Sequence, residues 1–295
     1  RENGIPGGCA NDIAQTNDGI LWIGTYGGLY RYNGTEFKWV DEYSSVKTVN
    51  CLYKDEEGRL WIGTNDGGVS IMIDETIINV VSEKEGLSAD SVKCITQGSD
   101  GDYYIGTTGA MSVVSLAGGL TVKSYIDDIK YAVSADSDKN GNIAVVSDNG
   151  QLSIVKNAAV ISEYSASDGG RYTTCSFDDA GMLYVGTSKG NIDKYEYDLY
   201  NNAYVLKESV SCNELNNIKE IYFVDNTLTE NATLFVCADN GTGYYDSQNQ
   251  FININTGSFN NSIDHMTADY QGNLWFTSSR LGVLRLCKSV FTSLQ

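Results

Sequence analysis

Short segments in which apolar and polar residues alternate run the length of the chain, separated by turns rich in Gly, Asn and Asp. Near the start, such segments cover residues 11–16, 20–25, 29–32 and 35–40. Alternation with a period of two is typical of half-buried β-strands. The dipeptide Asn33-Gly34, between the last two segments, is a strong hairpin signal. The pattern therefore predicts a unit of four short antiparallel strands.

One tetrapeptide marks the second strand of this unit and recurs along the chain. Trp-Ile-Gly-Thr occupies residues 22–25 and 61–64, and degenerate copies begin at Tyr104, Ala144, Tyr184, Phe235 and Trp275. Successive copies start 39, 43, 40, 40, 51 and 40 residues apart. Four strands repeated at this period are typical of a propeller blade. We therefore predict an all-β fold, a seven-bladed β-propeller of four-stranded antiparallel blades.

The propeller is expected to form a single domain over residues 1–295. Its predicted blades cover about 8–41, 47–82, 90–126, 129–164, 171–208, 216–255 and 261–295. The spacing of residues 282–291 repeats that of residues 28–37, so the seventh blade is expected to own an outer strand at 290–294. Ring closure would then rest on apolar packing between the first and seventh blades. Completion of the ring by residues outside this sequence is the alternative.

Several positions of the repeat are predicted to serve packing. Acidic turns ending in Gly, such as residues 55–58, precede most second strands, and Asp side chains in such turns accept hydrogen bonds from nearby backbone amides. Gly24 follows the large ring of Trp22 by two positions, and a Gly lets the adjacent sheet approach closely. Packing should differ in the three copies where other residues replace this Gly, namely Val146, Cys237 and Thr277.

Charge and composition narrow the classes of partner. The chain has 38 acidic and 20 basic residues and a formal net charge of -18. Nucleic acid is not expected as a partner because its binding needs a basic surface, and anionic membranes are disfavoured for the same reason. No apolar run reaches the roughly 18 residues of a membrane span, so direct membrane insertion by this segment is not expected. The chain begins at Arg1, and we interpret it as part of a longer protein.

The seven cysteines contain no Cys-x-x-Cys pair, so a zinc site is not predicted. Several of them replace small or apolar residues of the repeat, as Cys237 does. We interpret them as buried thiols that act as small apolar side chains, and disulfides are the open alternative.

The repeat resembles that of the two-component regulator propeller family. Residues 55–68, Asp-Glu-Glu-Gly-Arg-Leu-Trp-Ile-Gly-Thr-Asn-Asp-Gly-Gly, and residues 17–28 carry the resemblance, and residues 85–92 fit the linker between blades. Copies four and six match only in outline. The resemblance implies a bacterial sensor region outside the cytoplasmic membrane, at the cell surface or in the periplasm. In such proteins the membrane-anchored sensor controls a histidine kinase or a diguanylate cyclase.

One face of the propeller is predicted to carry the residues that vary. In a four-stranded meander, the start of the first strand and the turn between strands two and three lie at the same end. The residues that follow each tetrapeptide copy share this face and differ between copies, which suits a ligand site; neutral drift is the alternative. The candidate ligand-binding residues are Tyr26, Asn65, Asp66, Asp148, Lys189, Asp239, Arg280 and Arg171. Tyr26 is the preferred aromatic platform, and the arginines suit a carboxylate or a sugar face.

No metal site, cofactor or catalytic residue is predicted. His265 is the only histidine, and a polar core residue is favoured over a proton acceptor beside the channel. Asp136, Asp138 and Asn140 resemble the start of a calcium loop, but Ser147 stands where a bidentate Glu is needed. No Gly-x-Ser-x-Gly nucleophile motif is present. The sequence does not show which carboxylates of different blades lie close together, so a catalytic pair of carboxylates stays an open alternative.

These observations favour a ligand-sensing propeller that binds a small solute or a carbohydrate. The alternative is a propeller that binds another protein or forms a homodimer, and that transmits a signal without a small ligand. A propeller lyase or glycoside hydrolase is a third hypothesis.

Overall fold

The computed structural model of the protein describes residues 8–224 and 232–287. Strands account for nearly all of the regular structure, and they form seven antiparallel sheets. Two short 3-10 helices, Ser44–Val46 and Glu83–Glu85, lie between sheets. In this part of the chain, no helix has the length and hydrophobicity of a membrane span.

Each sheet is a meander in which strands adjacent in sequence lie side by side. The strands of the first three sheets are β1 (Asp12–Gln15), β2 (Leu21–Thr25), β3 (Gly28–Tyr32), β4 (Phe37–Val40), β5 (Val49–Lys54), β6 (Leu60–Thr64), β7 (Val69–Ile73), β8 (Thr76–Val81), β9 (Val92–Gln97), β10 (Tyr103–Thr107), β11 (Ala110–Ser115) and β12 (Thr121–Lys130). The next two sheets contain β13 (Ala132–Ser137), β14 (Ile143–Ser147), β15 (Leu152–Lys156), β16 (Ala159–Tyr164), β17 (Tyr172–Phe177), β18 (Leu183–Thr187), β19 (Asn191–Asp198) and β20 (Ala203–Ser211). The last two contain β21 (Ile218–Phe223), β22 (Ala232–Ala238), β23 (Gly241–Asp246), β24 (Phe251–Asn253), β25 (Ile263–Ala268), β26 (Leu274–Ser278) and β27 (Gly282–Leu286).

The seven sheets close into a ring with their first strands innermost. Consecutive first strands contact one another from β1 to β25, and β25 contacts β1. Six sheets have four strands, and the seventh has three in the described residues. The predicted seven-bladed propeller of four-stranded antiparallel blades is therefore confirmed. Blades are numbered one to seven in chain order below.

Apolar packing between neighbouring blades forms the core. Trp61 of blade two stacks on Tyr103 of blade three, with ring centroids 3.8 Å apart. Beside this stack, a Cβ on Gly63 would lie 2.8 Å from Val92 Cγ1. The absence of a side chain at Gly63 thus lets blade three approach, as the tetrapeptide pattern predicts. In blade six, Cys237 takes this position and is the backbone pairing partner of Glu220 in the adjacent strand β21.

The acidic turns hold the tryptophans as well as the backbone. Asp55 Oδ1 accepts a hydrogen bond from the amide of Arg59 at 2.8 Å, as predicted. Its Oδ2 also accepts from Trp61 Nε1 at 2.9 Å. Asp269 Oδ2 does the same for Trp275 Nε1 at 2.8 Å. In blades two and seven the acidic turn and the Trp of the tetrapeptide are therefore one structural unit, whereas Trp22 Nε1 of blade one donates to Thr16 Oγ1 at 2.9 Å.

Blades one and seven meet through both polar and apolar contacts. The amide of Ala10 donates to the carbonyl of Ser278 at 2.8 Å. Trp275 of blade seven lies in the same buried cluster as Ile13 and Ile23 of blade one. The outer strand predicted at 290–294 lies outside the described residues.

The cysteines mostly behave as core residues. Five of them are buried, and their thiols are free: Cys51, Cys94, Cys175, Cys212 and Cys237. Burial raises the pKa of each of these thiols, to about 12 for Cys94 and Cys212. These observations agree with the interpretation of these residues as small apolar side chains.

Candidate functional site

The innermost strands of all seven blades surround a central channel of about 1070 Å³. Each of these strands pairs with a neighbour on one side only, so its other edge carries backbone groups that need partners. Side chains of the preceding blade supply some of them. Asp12 Oδ2 accepts from the amide of Leu52 at 2.7 Å, and Glu220 Oε2 accepts from the amide of Met266 at 2.6 Å. The channel wall is thus a ring of contacts that run from one blade to the next.

A β-bulge recurs where the innermost strands begin. In six blades the register between the innermost strand and the second strand shifts by one residue, as between Val49 and Cys51. One residue of the innermost strand is therefore left without a partner in the second strand. All six of these bulge residues line the channel. The bulge residues are Asn50, Lys93, Val133, Thr173, Lys219 and Asp264. Bulges re-aim side chains and occur often beside binding sites.

The face on which these bulges lie is the predicted variable face. The turns after the tetrapeptide copies bond to the starts of the first strands in the same blades: the amide of Asn65 donates to Thr48 O at 2.9 Å, and that of Asp148 donates to Tyr131 O at 2.9 Å. We call this end of the channel the variable mouth. The acidic Gly turns lie at the opposite end, where Tyr270 lines the channel.

Three of the eight candidate ligand residues line the channel, namely Tyr26, Asp148 and Arg171. The side chain of Tyr26 is 59% exposed. Arg171 Nη1 lies 3.4 Å from the carbonyl oxygen of Asp148, and no carboxylate of the described residues lies within 4.0 Å of its guanidinium. The structure therefore brings an exposed aromatic ring and an arginine without an acidic partner to one mouth.

The other five candidates lie on the same face outside the channel lining. Asn65 and Asp239 contact bulge residues: Asn65 Oδ1 lies 3.3 Å from Lys93 Nζ, and Asp239 Oδ1 lies 3.2 Å from Lys219 Nζ. Asp239 therefore acts in part by neutralising a channel cation.

The remaining three candidates are tied to nearby backbone or side chains. Asp66 Oδ1 accepts from Thr48 Oγ1 at 2.8 Å. Lys189 Nζ donates to the carbonyl of Asp168 at 2.8 Å. The amide of Arg280 donates to Ser278 Oγ at 3.1 Å. A ligand role for these residues stays a prediction.

Sequence reasoning singled out His265 but not the carboxylates that face it, and the structure places His265 in the channel wall rather than in the core. His265 Nδ1 lies 3.3 Å from Glu220 Oε1 and 3.8 Å from Asp12 Oδ1. Burial by itself would lower the pKa of His265, but the charges of Asp12 and Glu220 outweigh this effect and raise it to about 10. Burial raises the pKa of Asp12 to about 6. At neutral pH, an imidazolium therefore lies between two carboxylates and links blades six, seven and one.

The channel carries little of the net charge of the chain. Its lining contains four Lys and Arg side chains and five Asp and Glu side chains, whereas the whole chain has 20 and 38. Because the two signs nearly balance in the channel, the negative field arises from the remaining residues. Anionic groups therefore meet less repulsion in the channel than on the outer surface.

The calcium-loop resemblance is explained by protein contacts. Asp138 Oδ1 accepts from the amides of Asn140 and Asn142 at 2.9 and 2.8 Å. Asp136 Oδ2 accepts from the amide of Phe177 at 2.7 Å. Over residues 8–224 and 232–287, no group of three or more His, Cys, Asp or Glu residues is placed to hold a metal ion.

Comparison with known proteins agrees with this architecture. The model of the two-component regulator propeller family matches residues 4–27 and 43–66. These segments contain the first two Trp-Ile-Gly-Thr copies, which carry the resemblance in the sequence. No curated protein matches the sequence.

Solved structures share the fold at low sequence identity. Two are extracellular domains of proteins named as hybrid two-component systems of B. thetaiotaomicron. The first is 20% identical over 96% of this chain with a TM-score of 0.76, and the second is 18% identical over 96% with a TM-score of 0.68. The chain spans 40% and 38% of their lengths. A streptogramin B lyase is 13% identical, with a TM-score of 0.69 over 95% of this chain and 94% of the lyase. At these identities the likeness establishes a common fold.

Proposed function

We propose that this chain is the extracytoplasmic ligand-binding propeller of a bacterial membrane signalling protein, and that it binds a small solute or a carbohydrate at the variable mouth. The family match and the likeness to extracellular domains of two-component systems support the signalling context. The chain is proposed to act by binding rather than by catalysis, since Asp12 and Glu220 raise the pKa of its one histidine to about 10 and keep it protonated at neutral pH, where it cannot act as a general base.

The recurring bulge carries the proposal. Positions that the fold requires are alike between blades, such as the Gly of the second strand in blades one, two, three and five. The bulge occurs in six blades, yet its residue is of five different types, Asn, Lys, Val, Thr and Asp. A backbone feature that repeats while its side chain changes presents a varied surface at fixed positions. This arrangement suits recognition of an asymmetric solute.

The groups at the variable mouth match the chemistry of a polar solute or a sugar. The exposed ring of Tyr26 offers an apolar face on which a sugar ring can stack. Asn50, Thr173 and Arg171 add hydrogen-bonding groups around the same channel. Such a mixture of one platform and several convergent polar groups is typical of small-molecule sites.

Two tyrosines provide a matched test of this location. Tyr26 and Tyr270 are 59% and 60% exposed, and both line the channel, at opposite ends. Binding is first sought by thermal shift across a panel of sugars, peptides and metabolites, and then measured by calorimetry. The Tyr26→Ala variant should bind the identified solute about tenfold more weakly or worse, as expected for loss of one aromatic contact, and Tyr270→Ala should bind normally. A flat response across the panel, or equal loss in both variants, would count against the proposal.

One surface feature favours the alternative of a protein-interaction propeller. The hairpin between β19 and β20 exposes Leu199 and Tyr200, with 87% and 96% of their surfaces accessible. Large apolar side chains at a hairpin tip suit burial in a partner, including a second copy of this chain. Concentration-dependent association in the ultracentrifuge that is lost in a Leu199→Ser/Tyr200→Ser variant would support this function. Association that is unchanged in the variant would refute a role for the hairpin.

A further inference from the structure

Lys93 is a half-buried cation with no acidic partner in residues 8–224 and 232–287. It is the bulge residue of blade three and lines the channel. Two other buried or half-buried lysines are paired with carboxylates: Lys194 Nζ lies 2.8 Å from Glu208 Oε1, and Lys219 Nζ lies 3.2 Å from Asp239 Oδ1. No carboxylate of the described residues lies within 4.0 Å of Lys93 Nζ. An ammonium group that is partly removed from water favours an anionic partner.

The neighbours of Lys93 are polar and neutral. Asn65 Oδ1 receives hydrogen bonds from Lys93 Nζ at 3.3 Å, from Ser91 Oγ at 3.1 Å and from Asn50 Nδ2 at 3.5 Å. Because three donors converge on the amide oxygen, the orientation of the Asn65 amide is fixed by its contacts. Its Nδ2 group has no hydrogen-bond partner among the described residues, so its N–H bonds remain available.

An aromatic ring also lies near Lys93. Its ammonium lies 6.0 Å from the centroid of the Tyr131 ring. Burial lowers the pKa of Lys93. The corner of the mouth formed by Lys93, Asn65 and Tyr131 thus holds a positive charge and spare donors beside a ring.

We propose that this corner binds the carboxylate group of the solute, so that the solute of the variable mouth is an acidic sugar or a similar small organic acid. This inference rests on the proposed function and names its ligand class. The Lys93 ammonium and the Asn65 Nδ2 group supply two donors, which match the two oxygens of a carboxylate. The balanced charge of the channel lets an anion enter a protein whose net charge is -18.

Matched pairs of sugars test the proposal. D-glucuronate and D-galacturonate are compared with D-glucose and D-galactose by calorimetry and by ligand-observed NMR at low salt. Both acids should bind more tightly than their neutral counterparts, and added NaCl should weaken the acids selectively because ions screen the charge. These measurements on the wild-type chain need no variant.

Two lysine variants then locate the charge. Lys93→Met removes the ammonium and keeps an unbranched chain as long as the aliphatic part of Lys, and it should weaken uronate binding about 10- to 100-fold, as expected for loss of a charged hydrogen bond. Lys156→Met is the matched control. Lys156 is also half-buried and lies 5.8 Å from the Tyr197 ring, but it is outside the channel lining.

Each outcome bears on a different statement. Uronate binding that is lost in Lys93→Met and kept in Lys156→Met supports the proposal. Equal binding of acids and neutral sugars, or unchanged uronate binding in Lys93→Met, overturns it and leaves the ligand-binding function standing. Binding of neither uronate also overturns it, and a flat response across the wider panel removes the proposed function as well.

Discussion

Replacing Gly63 by Ala tests the close packing of blades two and three. A Cβ at this position would lie 2.8 Å from Val92 Cγ1 and closer still to Cys51 Sγ. Both neighbours are buried, so the added methyl group must displace core atoms. Overpacking of this kind destabilises proteins by about 1–3 kcal/mol. We therefore expect Gly63→Ala to lower the free energy of unfolding by about that amount relative to a control.

Gly27→Ala is the matched control. Its Cβ would meet only Thr25 Oγ1, at 3.6 Å, an ordinary contact. Either substitution restricts the unfolded chain and so favours folding by about 0.4–1 kcal/mol, and this effect cancels when the two variants are compared.

Urea unfolding and thermal unfolding, both followed by Trp fluorescence, measure the difference in stability between the two Gly variants. With an unfolding entropy of about 2.1 cal/mol/K per residue over 295 residues, the melting temperature of Gly63→Ala should be about 2–5 °C below that of Gly27→Ala. Cys51→Ala removes one of the two obstructing atoms, so a double-mutant cycle should show positive coupling of at least about 0.5 kcal/mol. Equal stability of the two Gly variants would refute the close approach.

Two charged sites give further predictions. Asp55→Ala leaves Trp61 Nε1 and the Tyr103 hydroxyl without their acceptor. Since each buried unpaired donor costs about 1–3 kcal/mol, urea unfolding should show that the free energy of unfolding falls by about 2–4 kcal/mol. A fall below about 1 kcal/mol would contradict this expectation. His265 has a folded pKa raised to about 10, so its stabilisation should be complete below the ordinary value near 6.5 and lost as pH rises toward 10. Imidazole NMR should place its titration well above 6.5 in the wild type and lower in Glu220→Gln, and a midpoint near 6.5 in the wild type would refute the ion pair.

The repeated elements of the fold were predictable from the sequence because each of them depends on local chemistry. Asn33-Gly34 does join two strands, since the structure places its turn between β3 and β4. The tetrapeptide lies in the second strand, and its Gly faces the next blade. These features are set by residues within one repeat, and their sevenfold recurrence makes the pattern visible.

The candidate site was predictable only in part. The variable face follows from strand direction, and Tyr26, Asp148 and Arg171 do line the channel there. Lys93 and Glu220 were missed because a bulge and a contact across blades decide where these side chains point. Aligning the first strands of the repeats, as well as the second, would have placed both residues at channel positions.

The contacts along the channel wall also bear on how the ring comes apart. Each of these side chains belongs to one blade and accepts a hydrogen bond from a backbone amide of a neighbouring blade. Asp12 accepts from Leu52 and Glu220 from Met266, and Gln15 of blade one accepts from the amide of Tyr270 in blade seven at 2.9 Å. A blade that detaches would therefore leave polar groups without hydrogen-bond partners on both of its neighbours. An open solenoid can lose units from its ends one at a time, whereas this closed circuit has no end from which to fray, so its blades are expected to unfold together.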